Sequence, residues 1–426
     1  MRDAVFQSKG NSAERIEKLA VFSYMISVAF SPLGPVVHYS LWTICLSSVL
    51  VTKIKYRMPL SPQNIDTKGR WILLGWGTLC LWTVAMGLLT FHDLDSYGRN
   101  VTTLLEVLLG MYLAARLLGN EAAREKFIRL FVWASVFIML GNLSRELHLI
   151  GYFPNRSLEN GNSLGLCSVL LLPPLVCYAF WRVDDLIRRL AIVMPVCVAV
   201  FLSFSLGAWG AAAFGGAVLL YWMFRFKKIK VSLLLGMSAC LLLMGAAFDW
   251  HSGGALWKRA QVEYRQITST QDVGALTTYR NEIWSASACL IRKRPMTGWG
   301  GMRFVDLYQE LFRTKADELG LKYQPRGEHP HSTLFNVAFL AGIPGLMLFL
   351  AVYAVSLKKA FRLVQSEGGC AFPWGLSISV LLLTMLVYAL SGDVLVGRRD
   401  ISVMFWCFWG ILLIVPEGRG SSREKS

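Results

Sequence analysis

The chain has 426 residues, of which 54% are apolar and 16% are charged, and its mean hydropathy is +0.47. In a soluble domain roughly a quarter of the residues are charged, so this composition excludes an ordinary soluble enzyme. The net charge of +16 arises from short Lys and Arg clusters between apolar runs, a distribution that argues against nucleic-acid binding. We therefore expect an all-α polytopic membrane protein.

Twelve apolar runs are long enough to be predicted as membrane spans. In chain order they cover residues 19–33, 35–52, 71–91, 101–118, 127–143, 164–181, 190–205, 207–224, 231–248, 332–357, 373–391 and 401–416. Pro32 and Pro35 predict a break or a tight hairpin between the first two. The pattern divides the chain into an N-terminal membrane region of nine spans (1–248), a long loop (249–331) and a C-terminal region of three spans with a polar tail (332–426).

The distribution of basic residues predicts the orientation of these spans. With the N-terminus inside, the cytoplasmic segments hold 26 of the 43 Lys and Arg residues, and the short outer segments hold five. This is the positive-inside asymmetry, which long loops are free to disobey. We expect both termini in the cytoplasm and the 249–331 loop outside. The nine cysteines follow no disulfide or zinc spacing, and the first apolar run lacks a small-residue cleavage site.

The long loop contains one stretch with helical periodicity. Residues 277–294 place Tyr279, Ile283 and Leu290 on one face, and Pro295 with the glycine-rich run 298–301 predicts the end of that helix. Its Trp and Leu content, with Arg and Lys on the other face, is typical of a helix lying at a membrane interface.

Three residues of the outer half could carry proton chemistry or orient it. His331, in the run His329-Pro330-His331-Ser332, stands immediately before a span and suits a general base acting on a sugar hydroxyl. A solvated loop histidine is the alternative, and no acidic or cysteine partner with metal-site spacing supports a metal at the two histidines. Asp393 could orient His331 or cap a helix. Glu106 lies inside the fourth span, where ionisable groups are costly and usually functional.

Arginines on the outer side are candidate phosphate ligands, because a guanidinium binds phosphate oxygens bidentately and keeps its charge. For any single arginine, solvation or headgroup contact is the alternative. Besides Arg280, the candidate substrate-binding residues are Arg156, Arg259 and Arg398, together with Asp393.

Several runs resemble the O-antigen ligase and polymerase superfamily. Arg280-Asn281-Glu282-Ile283-Trp284, followed by Arg294-Pro295-Met296-Thr297-Gly298-Trp299-Gly300, resembles its segment R-x-x-x-W … (K/R)-x-P-x-x-G-x-G. His329-Pro330-His331-Ser332, followed by Gly342-Ile343-Pro344-Gly345, resembles its signature H-x-H-N … G-x-x-G. The run 156–165 is similar to the loop before the sixth span of that family.

The resemblance implies a membrane glycosyltransferase at the periplasmic face of a bacterial inner membrane. In the ligase branch, a glycan leaves undecaprenyl diphosphate and joins a sugar hydroxyl of lipid A–core. The resemblance implies His331 as the general base and Arg280 as the group that binds the diphosphate. It also implies a metal-independent reaction without a cofactor, and inversion of the anomeric centre.

Two departures from the family pattern leave alternatives open. Ser205-Leu206-Gly207-Ala208-Trp209 has leucine where the family usually has an arginine that is a second diphosphate ligand. Arg156, Arg398 or Arg399 could replace that arginine. Ser332 stands where the family usually has asparagine. The alternatives are a polymerase that lengthens the glycan on its lipid carrier, a protein O-glycosyltransferase, and a non-catalytic or transport-type relative.

Overall fold

The computed structural model describes most of the chain, and its regular structure is helical. The described residues are 2–56, 62, 65–91, 94–146, 149–150, 152, 158, 160–229, 280–322, 329–366, 372–393 and 399–417, with single or paired positions between 236 and 265. These ranges contain thirteen α-helices, one 3-10 turn and no strand.

The structure gives the bounds of these helices. In chain order they are α1 (Arg2–Ala29), α2 (Pro35–Tyr56), α3 (Thr67–Leu89), α4 (Leu94–Leu117), α5 (Glu121–Glu146), α6 (Gly161–Arg182), α7 (Leu186–Leu202), α8 (Leu206–Arg225), α9 (Arg280–Lys293), α10 (Phe304–Leu319), α11 (Thr333–Ser366), α12 (Trp374–Ala389) and α13 (Arg399–Ile414). Eleven predicted spans coincide with a helix, and the run 231–248 lies outside the described residues apart from single positions. Helices α2 to α6, α8 and α11 are long and apolar enough to cross a membrane. The chain is an all-α polytopic membrane protein, as its composition predicts.

The predicted break between the first two spans is confirmed. Ser31–Leu33 form a 3-10 turn, and Gly34 follows with a φ of +138°, so α1 and α2 return against each other as a hairpin. Ser27 Oγ lies 2.9 Å from His38 Nδ1 across this hairpin. A proline pair with a glycine therefore makes the sharp reversal that two adjacent spans need.

Helix α13 lies at the centre of the bundle. Every residue of it from Ile401 to Ile414 is buried. Its Trp409 packs edge-on against Trp76 and Tyr353, with ring centroids 5.1 Å apart in both pairs. A Cβ on Gly410 would lie 2.5 Å from Met111 O, so this glycine lets α13 approach α4 closely.

One end of the bundle, here called the Lys359 end, is closed by ion pairs. The fully buried Lys359 Nζ lies 2.7 Å from Asp66 Oδ1 and 3.2 Å from Leu413 O. Asp66 also caps α3 by accepting from Gly69 N at 2.7 Å, and Lys68 pairs with Glu417. These contacts join α3, α11 and the end of α13, all at chain positions that the charge pattern assigns to the cytoplasmic side.

At the opposite end, here called the His331 end, α9 and α10 pack on the first part of α11. Their shared core is a second, smaller hydrophobic cluster that includes Ile283, Leu290, Phe304, Tyr308 and Phe339. The predicted buried face of α9 is confirmed, since Ile283, Leu290 and Ile291 are all buried.

Candidate functional site

The segment before α11 is fixed by the turn that follows α12. Ser332 Oγ donates to Ala389 O at 3.0 Å, and the amide and hydroxyl of Thr333 donate to Gly392 O at 3.0 and 3.1 Å. His331 itself has a φ of +53°. A non-glycine residue in this region is uncommon and costs free energy, so the surrounding hydrogen bonds hold it in place. Such strain is concentrated at functional sites, which makes His331 a strong candidate.

The surroundings of His331 keep its imidazole neutral. Partial burial lowers the pKa of His331 to about 4, and the charges of the neighbouring His329 and Arg280 act in the same direction with smaller effects. The His329 and His331 rings lie 4.6 Å apart between centroids. Because the pKa is below neutrality, the ring is uncharged at pH 7 and can accept a proton.

Arg280 begins α9 and lies close enough to His331 to act on its charge. Burial lowers the pKa of Arg280, and the neighbouring Tyr388 acts in the opposite direction. Among the described residues, no carboxylate forms an ion pair with Arg280. The amide groups at the start of α9 add positive potential to the guanidinium, so this position favours an anion.

Asp393 lies beside the same segment. Its side chain is buried, and Asp393 Oδ2 accepts from Asn336 Nδ2 at 3.1 Å. Asn336 belongs to the first turn of α11, so the pair ties the turn after α12 to the helix that follows His331. This contact places Asp393 at the site and gives it a positioning role toward α11.

Small residues bring two further segments against this turn. A Cβ on Gly161 would lie 2.3 Å from Ser203 O, and one on Gly165 would lie 2.7 Å from Ala208 Cβ. A Cβ on Gly207 would lie 2.5 Å from Ser391 Oγ. The start of α6, the corner between α7 and α8, and the turn after α12 therefore meet at one place.

The loop after α9 is interlocked with a break in α11. Trp299 N donates to Phe339 O at 2.6 Å, and Ile343 N donates to Pro295 O at 2.7 Å. Gly298 and Gly342 have φ values of +66° and +69°, and Gly342 interrupts the helical geometry of α11. The glycine-rich run therefore fixes α9, which carries Arg280, against α11, which follows His331.

The same loop is anchored on the membrane helices. Asn100 Nδ2 donates to Gly300 O at 2.8 Å, and Gly301 N donates to Thr90 Oγ1 at 3.0 Å. A Cβ on Gly301 would lie 2.5 Å from Thr90 O. The loop between α9 and α10 therefore packs on α3 and α4 through close backbone contacts that leave no room for side chains at the glycines.

Comparison with known proteins places these segments in a family. Residues 190–350 match the family model described as O-antigen ligase. This part of the chain is similar to the O-antigen ligase family. No curated protein gave a significant match. The matched range contains Leu206, Arg280 and His331, while the start of α6 and the turn after α12 lie outside it. The match supports a function of the O-antigen ligase or polymerase type in general terms.

The leucine at the position where the superfamily pattern has arginine lies at this convergence. Leu206 is the first residue of α8 and is 50% exposed. The adjacent Gly207 contacts Ser391, so the position borders the turn that holds Ser332 and Thr333. The side chain is not buried in a close-packed core, and a longer side chain has space there.

The structure describes one of the other candidate substrate-binding arginines and not the rest. Arg156, Arg259 and Arg398 lie outside the described residues. Arg399 is engaged with α4, because its guanidinium lies 3.5 Å from Glu106 Oε1 and donates to Arg99 O at 3.1 Å. Glu106 also accepts a hydrogen bond from Tyr39 OH at 3.2 Å, so its carboxylate connects α2, α4 and α13. Arg399 is therefore occupied by a structural contact.

Sequence reasoning missed Tyr388 and Asn336, and it named Trp284 only as part of a family-like motif without a contact. Tyr388 lies beside Arg280 and donates from its hydroxyl to Asn162 O at 3.3 Å. Asn336 pairs with Asp393, and Trp284 stacks on Phe335 with 6.3 Å between ring centroids. Each lies within or beside an apolar run, where its polar group is the only local signal. Within the described residues, no group of three or more His, Cys, Asp and Glu side chains is arranged to hold a metal.

Proposed function

We propose that the protein transfers a glycan from undecaprenyl diphosphate to a sugar hydroxyl of lipid A–core. The observation that carries this proposal is the pair formed by Arg280 and His331. A guanidinium without an ion-pair partner among the described residues stands beside a neutral imidazole, and both lie in the range that is similar to the O-antigen ligase family. These are an anion ligand and a base, the two groups that this transfer needs.

The donor diphosphate binds at Arg280 in this proposal. The guanidinium offers two parallel N–H groups, and the first turn of α9 offers backbone amides of the same polarity. Because the site is partly desolvated, these charges act on the phosphate more strongly than they would in water. They also stabilise the negative charge that develops on the leaving diphosphate.

His331 takes the proton from the acceptor hydroxyl as that oxygen attacks the anomeric carbon. The new carbon–oxygen bond forms while the bond to the diphosphate oxygen breaks, and undecaprenyl diphosphate leaves with the bonding electrons. Attack opposite the leaving group inverts the anomeric centre. The bound diphosphate offsets the positive charge of Arg280, so it raises the pKa of His331 and makes the imidazole a stronger base only when donor is present. The proposed reaction needs no metal and no cofactor.

The charge pattern supports a periplasmic location for this reaction in a bacterial inner membrane. Basic clusters occur in the segments that build the Lys359 end, such as Lys68 and Arg70 in the first turn of α3, and Lys358 and Arg362 in α11. The positive-inside rule then assigns the Lys359 end, with both termini, to the cytoplasm. The His331 end faces the periplasm, where lipid-linked glycans and lipid A–core are both accessible.

A polymerase that lengthens the glycan on its carrier uses the same base and diphosphate site, and a protein O-glycosyltransferase differs only in the acceptor. A non-catalytic relative is favoured by one observation, the leucine at position 206. These alternatives differ in product, so they are separated by the glycans that accumulate.

The test is deletion of the gene in the native bacterium, followed by complementation with wild type or His331→Ala. For a ligase, the deletion strain accumulates full-length glycan on the lipid carrier and displays uncapped lipid A–core. If the protein is a polymerase, the deletion strain instead carries single glycan repeats. Wild type restores capping of lipid A–core in the deletion strain, and His331→Ala at an equal protein level does not. In isolated membranes, transfer by wild type is the same with and without a chelator. Normal glycans on all acceptors in the deletion strain would refute the proposal.

A further inference from the structure

A second pair of residues lies one helical turn beyond Arg280 and His331. Trp284 is four residues after Arg280 in α9, and Phe335 is four residues after His331 in the first turn of α11. Arg280 and Trp284 share a face of α9, with a rise of about 6 Å along the axis, whereas His331 precedes α11. The two rings are stacked, with 6.3 Å between centroids and an angle of 19° between planes. The Trp284–Phe335 pair therefore lies one turn of α9 beyond Arg280 and against the first turn of α11, beside the same site.

The indole of Trp284 has an unsatisfied donor. Its Nε1 is buried and has no hydrogen-bond partner among the described residues. Three other indoles of this end are satisfied at 2.8 Å: Trp299 by Leu290 O, Trp82 by Ala341 O and Trp209 by Val200 O. Buried indole N–H groups normally find an acceptor, so the exception near the Arg280 guanidinium calls for a ligand.

Two other unpaired indoles provide a contrast. Trp42 and Trp76 also lack a partner for Nε1 in the described structure, and both are nearly fully buried in the core of the membrane bundle. Trp76 is surrounded there by Phe349, Trp406 and Trp409. The ring of Trp284, in contrast, is only partly buried. A small rotation against Phe335 can therefore present its N–H to a bound molecule.

We propose that Trp284 Nε1 donates a hydrogen bond to the donor diphosphate, to the phosphate group that is not held by Arg280. This inference rests on the proposed function. The two phosphates of a diphosphate are close enough for one to contact the guanidinium while the other contacts a donor one turn further along. An indole donor gives directionality without adding charge, so it selects diphosphate over monophosphate while leaving the pKa of His331 to Arg280 and His329.

The test compares two tryptophan variants in lipid nanodiscs. Trp284→Phe removes the N–H and keeps an aromatic ring on Phe335, and Trp299→Phe removes an N–H that is bonded to Leu290 O. Equilibrium binding is measured with radiolabelled undecaprenyl diphosphate and with undecaprenyl monophosphate, and the Tm of each variant is recorded. We expect Trp284→Phe to weaken diphosphate binding about tenfold and monophosphate binding less than twofold, with the Tm unchanged. Trp299→Phe lowers the Tm and leaves both affinities within twofold.

A second variant separates loss of the N–H group from loss of ring packing. Replacement of Trp284 by benzothienylalanine keeps the bicyclic shape and exchanges the N–H for sulfur, and it should reproduce the loss of diphosphate selectivity. If wild type binds diphosphate and either Trp284 variant retains its full affinity and selectivity, the inference is wrong while the proposed function stands. If wild type binds no undecaprenyl diphosphate and transfers no glycan, both the proposed function and the inference are overturned.

Discussion

Gly298 and Gly342 lie at one close backbone contact between the loop after α9 and the break in α11. A Cβ on Gly298 would lie 2.6 Å from Gly342 N, and one on Gly342 would lie 2.6 Å from Met296 O. Both residues have positive φ values, which disfavour any other residue type. Because Gly298 follows α9 and Gly342 breaks α11, this contact sets the position of Arg280 relative to His331.

Gly342→Ala should therefore lower both stability and transfer. The added Cβ meets backbone atoms that cannot move aside, so we expect a loss of about 3 kcal/mol in unfolding free energy. Gly320→Ala is the matched control, because Gly320 has a φ of +62° and nothing within 4 Å of the built Cβ. The control should cost about 1 kcal/mol and leave transfer unchanged. Thermal unfolding in nanodiscs and a transfer assay check both, and equal losses in the two variants would contradict the interlock.

The pH dependence of transfer should report the charge on Arg280. Protonation removes the base, so activity falls as pH drops through the pKa of His331, which is about 4 in the free protein. Arg280→Gln removes one of the charges that lower this pKa, and the acid limb of kcat/KM should move to higher pH. Arg280→Lys keeps the charge and should leave the limb in place even though binding weakens. An unshifted limb in Arg280→Gln would show that the two side chains are not coupled.

The extent to which the sequence predicts this structure depends on the range of the interactions. Span positions follow from apolar run lengths, and Gly298 and Gly342 were recognised by their family-like motifs. The reason that those glycines are needed is a contact between distant backbones, which no local pattern contains. The positions of Ser332 and Asp393 likewise depend on hydrogen bonds that cross more than fifty residues.

The missed residues illustrate the same limit. Tyr388 has the apolar and aromatic character of its surroundings, so its hydroxyl gives no separate signal in the sequence. Trp284 belongs to a family-like motif, but its stacking on Phe335 depends on a contact between distant segments. Glu106 was recognised as unusual because a carboxylate in an apolar span is costly. Its pairing with Arg399 arises from the packing of α4 against α13 and could not be inferred from the position of either residue.

Leu206→Arg should strengthen donor binding. The leucine is half-exposed at the first position of α8, beside the turn that carries Ser391, so a guanidinium there has space next to that turn. We expect a several-fold gain in affinity for undecaprenyl diphosphate with kcat unchanged or raised. Leu206→Gln is the control for length and polarity without charge, and it should give no gain. Loss of transfer in Leu206→Arg would mean that the cavity is shaped around leucine.

The Lys359 end should affect stability without affecting chemistry. Lys359 is buried against Asp66 about 40 Å along α11 from His331. Lys359→Met leaves the Asp66 carboxylate unpaired, and we expect a loss of about 2 kcal/mol because Asp66 is partly exposed. Lys359→Met combined with Asp66→Asn should recover most of the loss, since asparagine still caps α3. Thermal unfolding measures both variants, kcat should stay at the wild-type value, and equal destabilisation of single and double variants would assign the loss to packing of the lysine stem.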